Sequence, residues 1–236
     1  MKAIILAGGK GRRLEPYTTV LPKPLMPIGD MPIIEIVIRQ LSYYGIKDII
    51  IAVGYLGELI EAFLGDGKKY KVRINYSREE QPLGTAGPIS LIKGLDEAFM
   101  VLNGDLLTSM DHSKLVEYHK ANSPLVTIGV CDCTHQVDLG VLKIDNNSGV
   151  QDYIEKPLFK YQVSMGIYVF EPEVIRYIPK NKKMDLPDLI KTLIFHKEKV
   201  LSYHCKDFWL DIGRRDDYEK AVREFESKKN LFVKEV

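Results

Sequence analysis

Between residues 3 and 102 the chain repeats one pattern: a short, almost wholly apolar run, then a stretch with a helical apolar stripe. The runs at 49–53 and 98–102 carry no polar alternation, which marks strands covered on both faces. Residues 3–6 and 72–76 supply two more strands, the second of them alternating. Helices are expected at 33–44, with Pro32 at the start and Gly45 at the end, at 55–64, stopped by Gly65-Asp66-Gly67, and at 84–95. Strand–helix–strand repetition requires right-handed crossovers and therefore a mostly parallel sheet flanked by helices.

The pattern loosens after Asp111. A helix is expected at 113–120, with Asp111 or His112 near its cap, and strands at 125–130, 140–144, 150–154, 163–170 and 200–205. Asn146-Asn147-Ser148-Gly149 reads as a hairpin turn. A short helix at 171–177, an amphipathic one at 186–195 and a last one at 216–226 complete the reading. No linker, repeat or low-complexity run divides the chain. Its 236 residues, 45% of them hydrophobic, suffice for a core without disulfides or structural metals. The fold class is α/β: one domain over 1–236, with a Rossmann-like front half, a more antiparallel back half and a mixed, mostly parallel sheet between helices.

A net charge of +1 argues against the broad basic surface of a nucleic-acid binder. No stretch approaches the ~20 apolar residues of a membrane span. The chain enters its first strand with no cleavable signal ahead of it, so the cytoplasm is the expected compartment. Cys131, Cys133 and Cys205 are odd in number and lack metal-ligand spacing, which fits reduced thiols; they read as buried strand residues. Asp111-His112-Ser113 is read as capping chemistry, because adjacent residues at a helix start cannot stack into a catalytic relay.

The chemistry concentrates where the first strand runs out. Leu6-Ala7-Gly8-Gly9-Lys10-Gly11-Arg12-Arg13-Leu14 joins an apolar strand to a glycine turn and a cationic cluster, and nothing acidic appears until Glu15. Glycines let the backbone approach a ligand closely, and the free N–H groups of such a turn form a concave site for phosphate oxygens. The Walker pattern is not met, and the dinucleotide pattern fails where Leu14 stands in place of a third glycine. The carboxyl end of a buried strand in an open α/β sheet is where ligands bind, and Asn103-Gly104-Asp105 follows another such strand. An aspartate there suits Mg²⁺, which prefers oxygen ligands shared with phosphates; a plain turn aspartate is the structural alternative.

The segment from Leu6 to Pro16 closely resembles the signature of the sugar-1-phosphate nucleotidylyltransferases, Leu-Ala-Gly-Gly-x-Gly-Thr-Arg-Leu-x-Pro, with Arg12 in place of the threonine. Lys23-Pro24, Asn103-Gly104-Asp105, Glu155-Lys156-Pro157, Met165-Gly166-Ile167-Tyr168 and Trp209-Leu210-Asp211-Ile212-Gly213 resemble further elements of that family in the family's order. The resemblance implies transfer of a nucleotidyl group from a nucleoside triphosphate to a sugar 1-phosphate, with release of pyrophosphate. It assigns Arg13 and Lys23 to the reacting phosphates. Leu6, Ala7, Gly8, Gly9, Gly11 and Arg12 fall to the nucleotide, together with Glu80, Pro82, Leu83, Gly84 and Thr85. Asn103, Gly104, Gly140, Glu155, Lys156 and Gly166 fall to the sugar phosphate. Asp105 and Asp211 become the ligands of Mg²⁺, which requires two carboxylates far apart in sequence to converge.

The run Pro82-Leu83-Gly84-Thr85-Ala86-Gly87 looks most like guanylyltransferases acting on mannose 1-phosphate or a related sugar such as heptose 1-phosphate, with its small residues admitting a base and ribose. Glu80 is the candidate acceptor for guanine's paired donors. Two alternatives stay open: a sibling enzyme using UTP, dTTP or CTP, and a non-catalytic nucleotide-sugar-binding regulatory subunit. Relatives of this kind often form dimers or tetramers, so a homo-oligomer is among the implied partners. Longer relatives append a left-handed β-helix, which this chain is expected to lack.

Overall fold

The structure, a computed structural model, describes residues 1–233. In chain order the strands are β1 (Lys2–Ala7), the two-residue β2 (Pro27–Ile28) and β3 (Met31–Pro32), β4 (Asp48–Val53), β5 (Arg73–Arg78), β6 (Phe99–Asn103), β7 (Leu106–Thr108), β8 (Val126–Gln136), β9 (Val141–Ile144), β10 (Val150–Ile154), β11 (Leu158–Phe170), β12 (Val200–His204) and β13 (Trp209–Asp211). The α-helices are α1 (Ile33–Tyr43), α2 (Gly57–Leu64), α3 (His112–Asn122), α4 (Leu186–Phe195) and α5 (Arg215–Phe232).

Seven strands form one sheet in the order β12-β8-β11-β6-β1-β4-β5. The pairs β1/β4, β1/β6, β4/β5 and β8/β12 are parallel, and β11 runs antiparallel to both of its neighbours. Six strands therefore point the same way: the four of the front half, as their pattern requires, and β8 and β12 of the back half, against the more antiparallel arrangement expected there. Side chains alternate across the central strands. Ala3, Ile5, Ile49, Ile51, Met100 and Leu102 join a core with α1, α2 and α3, while Ile4, Ile50, Ala52 and Val101 join another with α4. A third core lies under α5, where Phe225 and Phe232 meet Leu14, Ile33, Leu107 and Ile212. It fastens the residues after the glycine turn to the C-terminal helix.

Four expectations need correction. The helix expected at 84–95 is only a 3₁₀ turn, Gly87–Leu91. Pro88 and two glycines disfavour a longer helix, and the N–H groups of Ala86 and Gly87 are spent on the Met184 carbonyl. The strands expected at 125–130 and 163–170 run on as a long two-stranded ribbon, pairing from Ser164 with Val130 out to Leu158 with Gln136. The last helix runs on to Phe232, whose side chain is fully buried, across a kink at Lys228 (φ −138°). Cys131 and Cys205 are buried as expected, but Cys133 is exposed on the ribbon. The β9/β10 hairpin lies beyond the ribbon, and Leu139, Ile144, Val150, Tyr153, Leu158 and Tyr161 in this region are all more than half exposed. Among the described residues no helix is long and apolar enough to cross a membrane.

Candidate active site

Because β1 and β6 are parallel neighbours, with Leu6 opposite Asn103, their carboxyl ends open on the same edge of the sheet. A cleft of about 910 Å³ lies there, within the range of small-molecule sites. Its floor is the turn after β1. Gly11 adopts a left-handed conformation (φ 63°), which lets the chain reverse into the short 3₁₀ turn Arg12–Leu14. Leu14 then anchors that turn in the third core. Leu6, Ala7, Gly8, Gly9, Gly11, Arg12 and Arg13 all contribute to the cleft wall, as does Lys10, which stands 5.8 Å over the Tyr55 ring.

The two aspartates meet through a strand pair that sequence patterns did not indicate. β7 and β13 are antiparallel, with Asp211 opposite Leu106, and Ile212 N–H donates to the Asp105 carbonyl at 3.1 Å. Each strand is three residues long, too short to leave a periodic signal. Lys23, whose side chain is only 10% exposed, forms an ion pair with Asp105 Oδ2. The other oxygen, Asp105 Oδ1, is buried and has no partner. Burial pushes the Asp211 carboxyl above its ordinary value, and the Asp105 charge adds to this while Lys23 and Arg13 oppose it. Arg13 is close by: a Cβ at Gly213 would lie 3.3 Å from both Arg13 Nη1 and Asp211 Oδ2. Two neighbouring carboxylates with one orphaned oxygen suit a hard cation. Among the described residues no three His, Cys, Asp or Glu side chains gather into a full metal cage. Mg²⁺ does not need one, because it commonly takes one or two carboxylates and completes its shell with water and substrate phosphates.

The opposite wall is the segment after β5. Glu80, Pro82, Gly84 and Thr85 line it. Leu83 does not; its side chain is 4% exposed and turned into the core. Asn103, Gly104 and Asp105 form the back. Gly166, in a left-handed conformation (φ 70°), sits behind that back wall, where an added Cβ would fall 2.5 Å from Asn103 Nδ2. Gly140, Glu155 and Lys156 lie outside the cleft wall. They ride on the β9/β10 region, where the Tyr153 hydroxyl donates to Glu155 Oε2 at 3.2 Å and crowds Gly140.

Sequence reasoning missed Glu79. It accepts the Leu83 N–H through Oε2 at 2.9 Å, and its Oε1 occupies the space that a side chain at Gly8 or Gly54 would need. Burial raises its carboxyl above the ordinary range. Gly8 therefore makes room for a protein carboxylate before any ligand. Gly54 and Tyr55 also line the cleft. They follow the buried strand β4, so the rule that ligands bind at strand carboxyl ends could have found them.

The nucleotidyl transferase family model matches residues 2–228. The chain is 34% identical over 243 residues to a UTP–glucose-1-phosphate uridylyltransferase of Synechocystis, covering 94% of this chain and 63% of that one. It is 34% identical over 230 residues to a mannose-1-phosphate guanyltransferase of Yarrowia lipolytica, covering 92% and 62%. The chain thus spans a little over six tenths of the length of these curated relatives. A solved structure of HddC from Yersinia pseudotuberculosis complexed with GMP-PN superimposes with a TM-score of 0.73 at 25% identity, covering 95% of this chain and 99% of that one.

Proposed function

Since the chain belongs to the nucleotidyl transferase family, we propose that it transfers a nucleotidyl group, with GTP the favoured donor, to a sugar 1-phosphate of the mannose or heptose type. The observation that carries this reading is the convergence of Asp105 and Asp211 beside Arg13 and Lys23, with Asp105 Oδ1 left without a partner. An oxygen of the sugar phosphate attacks the α-phosphorus and forms the new P–O bond. The bond from the α-phosphorus to the α,β-bridging oxygen breaks, and that oxygen leaves with pyrophosphate. No covalent enzyme intermediate and no side-chain base are required, so catalysis consists of positioning and charge stabilisation.

Arg13 is assigned to the β- and γ-phosphates and the departing pyrophosphate. Lys23 is assigned to the α-phosphate or the attacking phosphate, exchanging part of its pairing with Asp105. Asp105 and Asp211 would hold Mg²⁺, whose chemistry is to neutralise phosphate charge as the bond changes hands. The N–H groups of the glycine turn receive phosphate oxygens. Glu155 is assigned to the sugar ring and Lys156 to its phosphate, which requires the ribbon to lean toward Asn103. We place the reaction in the cytoplasm, where free thiols such as these stay reduced.

The test is pyrophosphate release across GTP, UTP, dTTP and CTP, each paired with mannose, glucose and heptose 1-phosphates. GTP with one of the expected sugars should dominate. A clear preference for UTP, the nucleotide in the Synechocystis relative's name, rejects the guanylyl reading. Ligand-linked thermal stabilisation without turnover on any pair rejects the enzyme reading in favour of a binding subunit. Asp105→Asn should abolish turnover with the fold retained, and unchanged activity would remove the metal role.

A further inference from the structure

The segment 83–87, which brings Gly84 and Thr85 to the cleft wall, does not stand alone. It is stitched to residues 182–186, which come from the other half of the chain. Met184 N–H donates to the Leu83 carbonyl at 2.9 Å, and the Met184 carbonyl accepts from Ala86 at 2.9 Å and Gly87 at 3.1 Å. Two side chains complete the seam. Asp185 Oδ1 accepts the Thr85 N–H at 3.0 Å, and Thr85 Oγ1 accepts the Leu186 N–H at 2.7 Å.

The second exchange is unusual for a helix start. Asp185 is the N-cap residue of α4, yet its side chain does not cap α4. The first N–H of that helix is satisfied by Thr85, from a loop 101 residues away. Asp185 then spends its carboxylate on holding Thr85. Gly84 fits this arrangement from both sides. Its φ is 78°, and an added Cβ would fall 2.6 Å from both Asp185 Oδ1 and the Met184 carbonyl oxygen. The small residues of Pro82-Leu83-Gly84-Thr85-Ala86-Gly87 thus admit the 182–185 backbone. Among the described residues no lysine or arginine forms an ion pair with Asp185, so its acceptor geometry rather than its charge is what the seam uses.

We propose that Asp185 is a positioning residue for the nucleotide: acting through Thr85, it fixes the cleft wall against which the base and ribose of the triphosphate lie. This rests on the nucleotidyl-transfer reading for the identity of the ligand. Asp185 itself touches no reacting atom. Glu79 holds the same loop at its other end through Leu83 N–H, so loss of Asp185 frees one end only.

The decisive variant is Asp185→Ser. Thr85 Oγ1 still satisfies the first N–H of α4 and serine is itself a good N-cap, but the serine side chain is one bond shorter than that of Asp185 and does not reach the Thr85 N–H. Steady-state kinetics should show KM for the triphosphate raised about ten-fold, the upper end of what one lost hydrogen bond gives. KM for the sugar 1-phosphate and the melting temperature should stay near wild type. Asp185→Asn keeps an Oδ1 acceptor and should restore the triphosphate KM. Asp185→Ala removes the acceptor of the Thr85 N–H altogether and should reproduce the triphosphate effect even where Asp185→Ser folds poorly. A triphosphate KM within two-fold of wild type in Asp185→Ser overturns the proposal. So does a parallel rise in both KM values with a fall in melting temperature. The Kd for GTP and for UTP, measured by calorimetry on wild type and variants, makes the same comparison without turnover. A wild type that binds nucleotide but releases no pyrophosphate therefore counts against the reaction and not against Asp185.

Discussion

Gly8 and Gly9 are neighbours that lack a side chain for opposite reasons. A Cβ on Gly8 would lie 2.7 Å from Glu79 Oε1, whereas a Cβ on Gly9 would meet nothing within 4 Å. Gly8→Ala should therefore displace Glu79, release Leu83 N–H and cost about 1 kcal/mol of stability, the usual worth of one such hydrogen bond. Gly9→Ala should leave denaturant stability within about 0.5 kcal/mol of wild type, as open surface positions do. It should nevertheless weaken GTP binding ten-fold or more if the turn receives phosphates. Urea melts and calorimetric titration check both halves, and a Gly9→Ala protein that binds GTP normally would remove the phosphate role of the turn. The cradle was legible in the sequence because its strand, glycines and cations are contiguous. Glu79 and Asp185 were not, because each is defined by what it touches. For Asp185 that partner is 100 residues away, and nothing in the residues beside it separates it from an ordinary helix cap.

Elements with a full periodic stripe were read correctly, and elements shaped by a distant partner were not. α4 and β10 have the expected bounds, and α1 ends one residue early. The helix expected at 84–95 gave way because tertiary hydrogen bonds to Met184 outbid a weak local preference. α3 shows how packing sets a chemical state. Asp111 caps it by accepting Ser113 N–H at 3.0 Å, as expected. His112, the next residue, is fully enclosed against the Tyr44 ring, with neither ring nitrogen bonded. Burial pushes its pKa down to about 4, with nearby Asp111 opposing. The unfolded chain takes up this proton near pH 6.5, whereas the folded one does not until about pH 4. Stability from the neutral ring is therefore complete above pH 6.5 and is lost as pH falls toward 4, at up to ~1.4 kcal/mol per unit. Urea melts across pH 7.5 to 4.5 should show that slope, and His112→Phe should flatten it. Burial also lowers the pKa of His119, so some slope should remain. An equally steep slope in the variant would clear His112 of the effect.

At the scale of the whole molecule, strand direction was readable in the front half and strand neighbours were not. The parallel set β1, β4, β5 and β6 follows from the crossovers, but nothing local says that β8 and β12 share its direction or that β11 inserts between β6 and β8. That insertion merges the two expected halves into one sheet and brings Gly166 against Asn103. It also sends the outer part of β11 away from the core, carrying the β9/β10 hairpin with it. Amide exchange should register this division. The ribbon, with its apolar side chains largely in water, should open without the sheet opening, so its amides should exchange before those of β1, β4 and β6. The roles assigned to Glu155 and Lys156 put the sugar's contacts on the part that opens first, and those of the triphosphate on the part that opens last. Deuterium uptake would then tell the two substrates apart. A sugar 1-phosphate should slow uptake across 141–163, a nucleotide alone should slow it only around 8–13 and 79–87, and the reverse assignment would mean that the ribbon takes no share in holding the sugar.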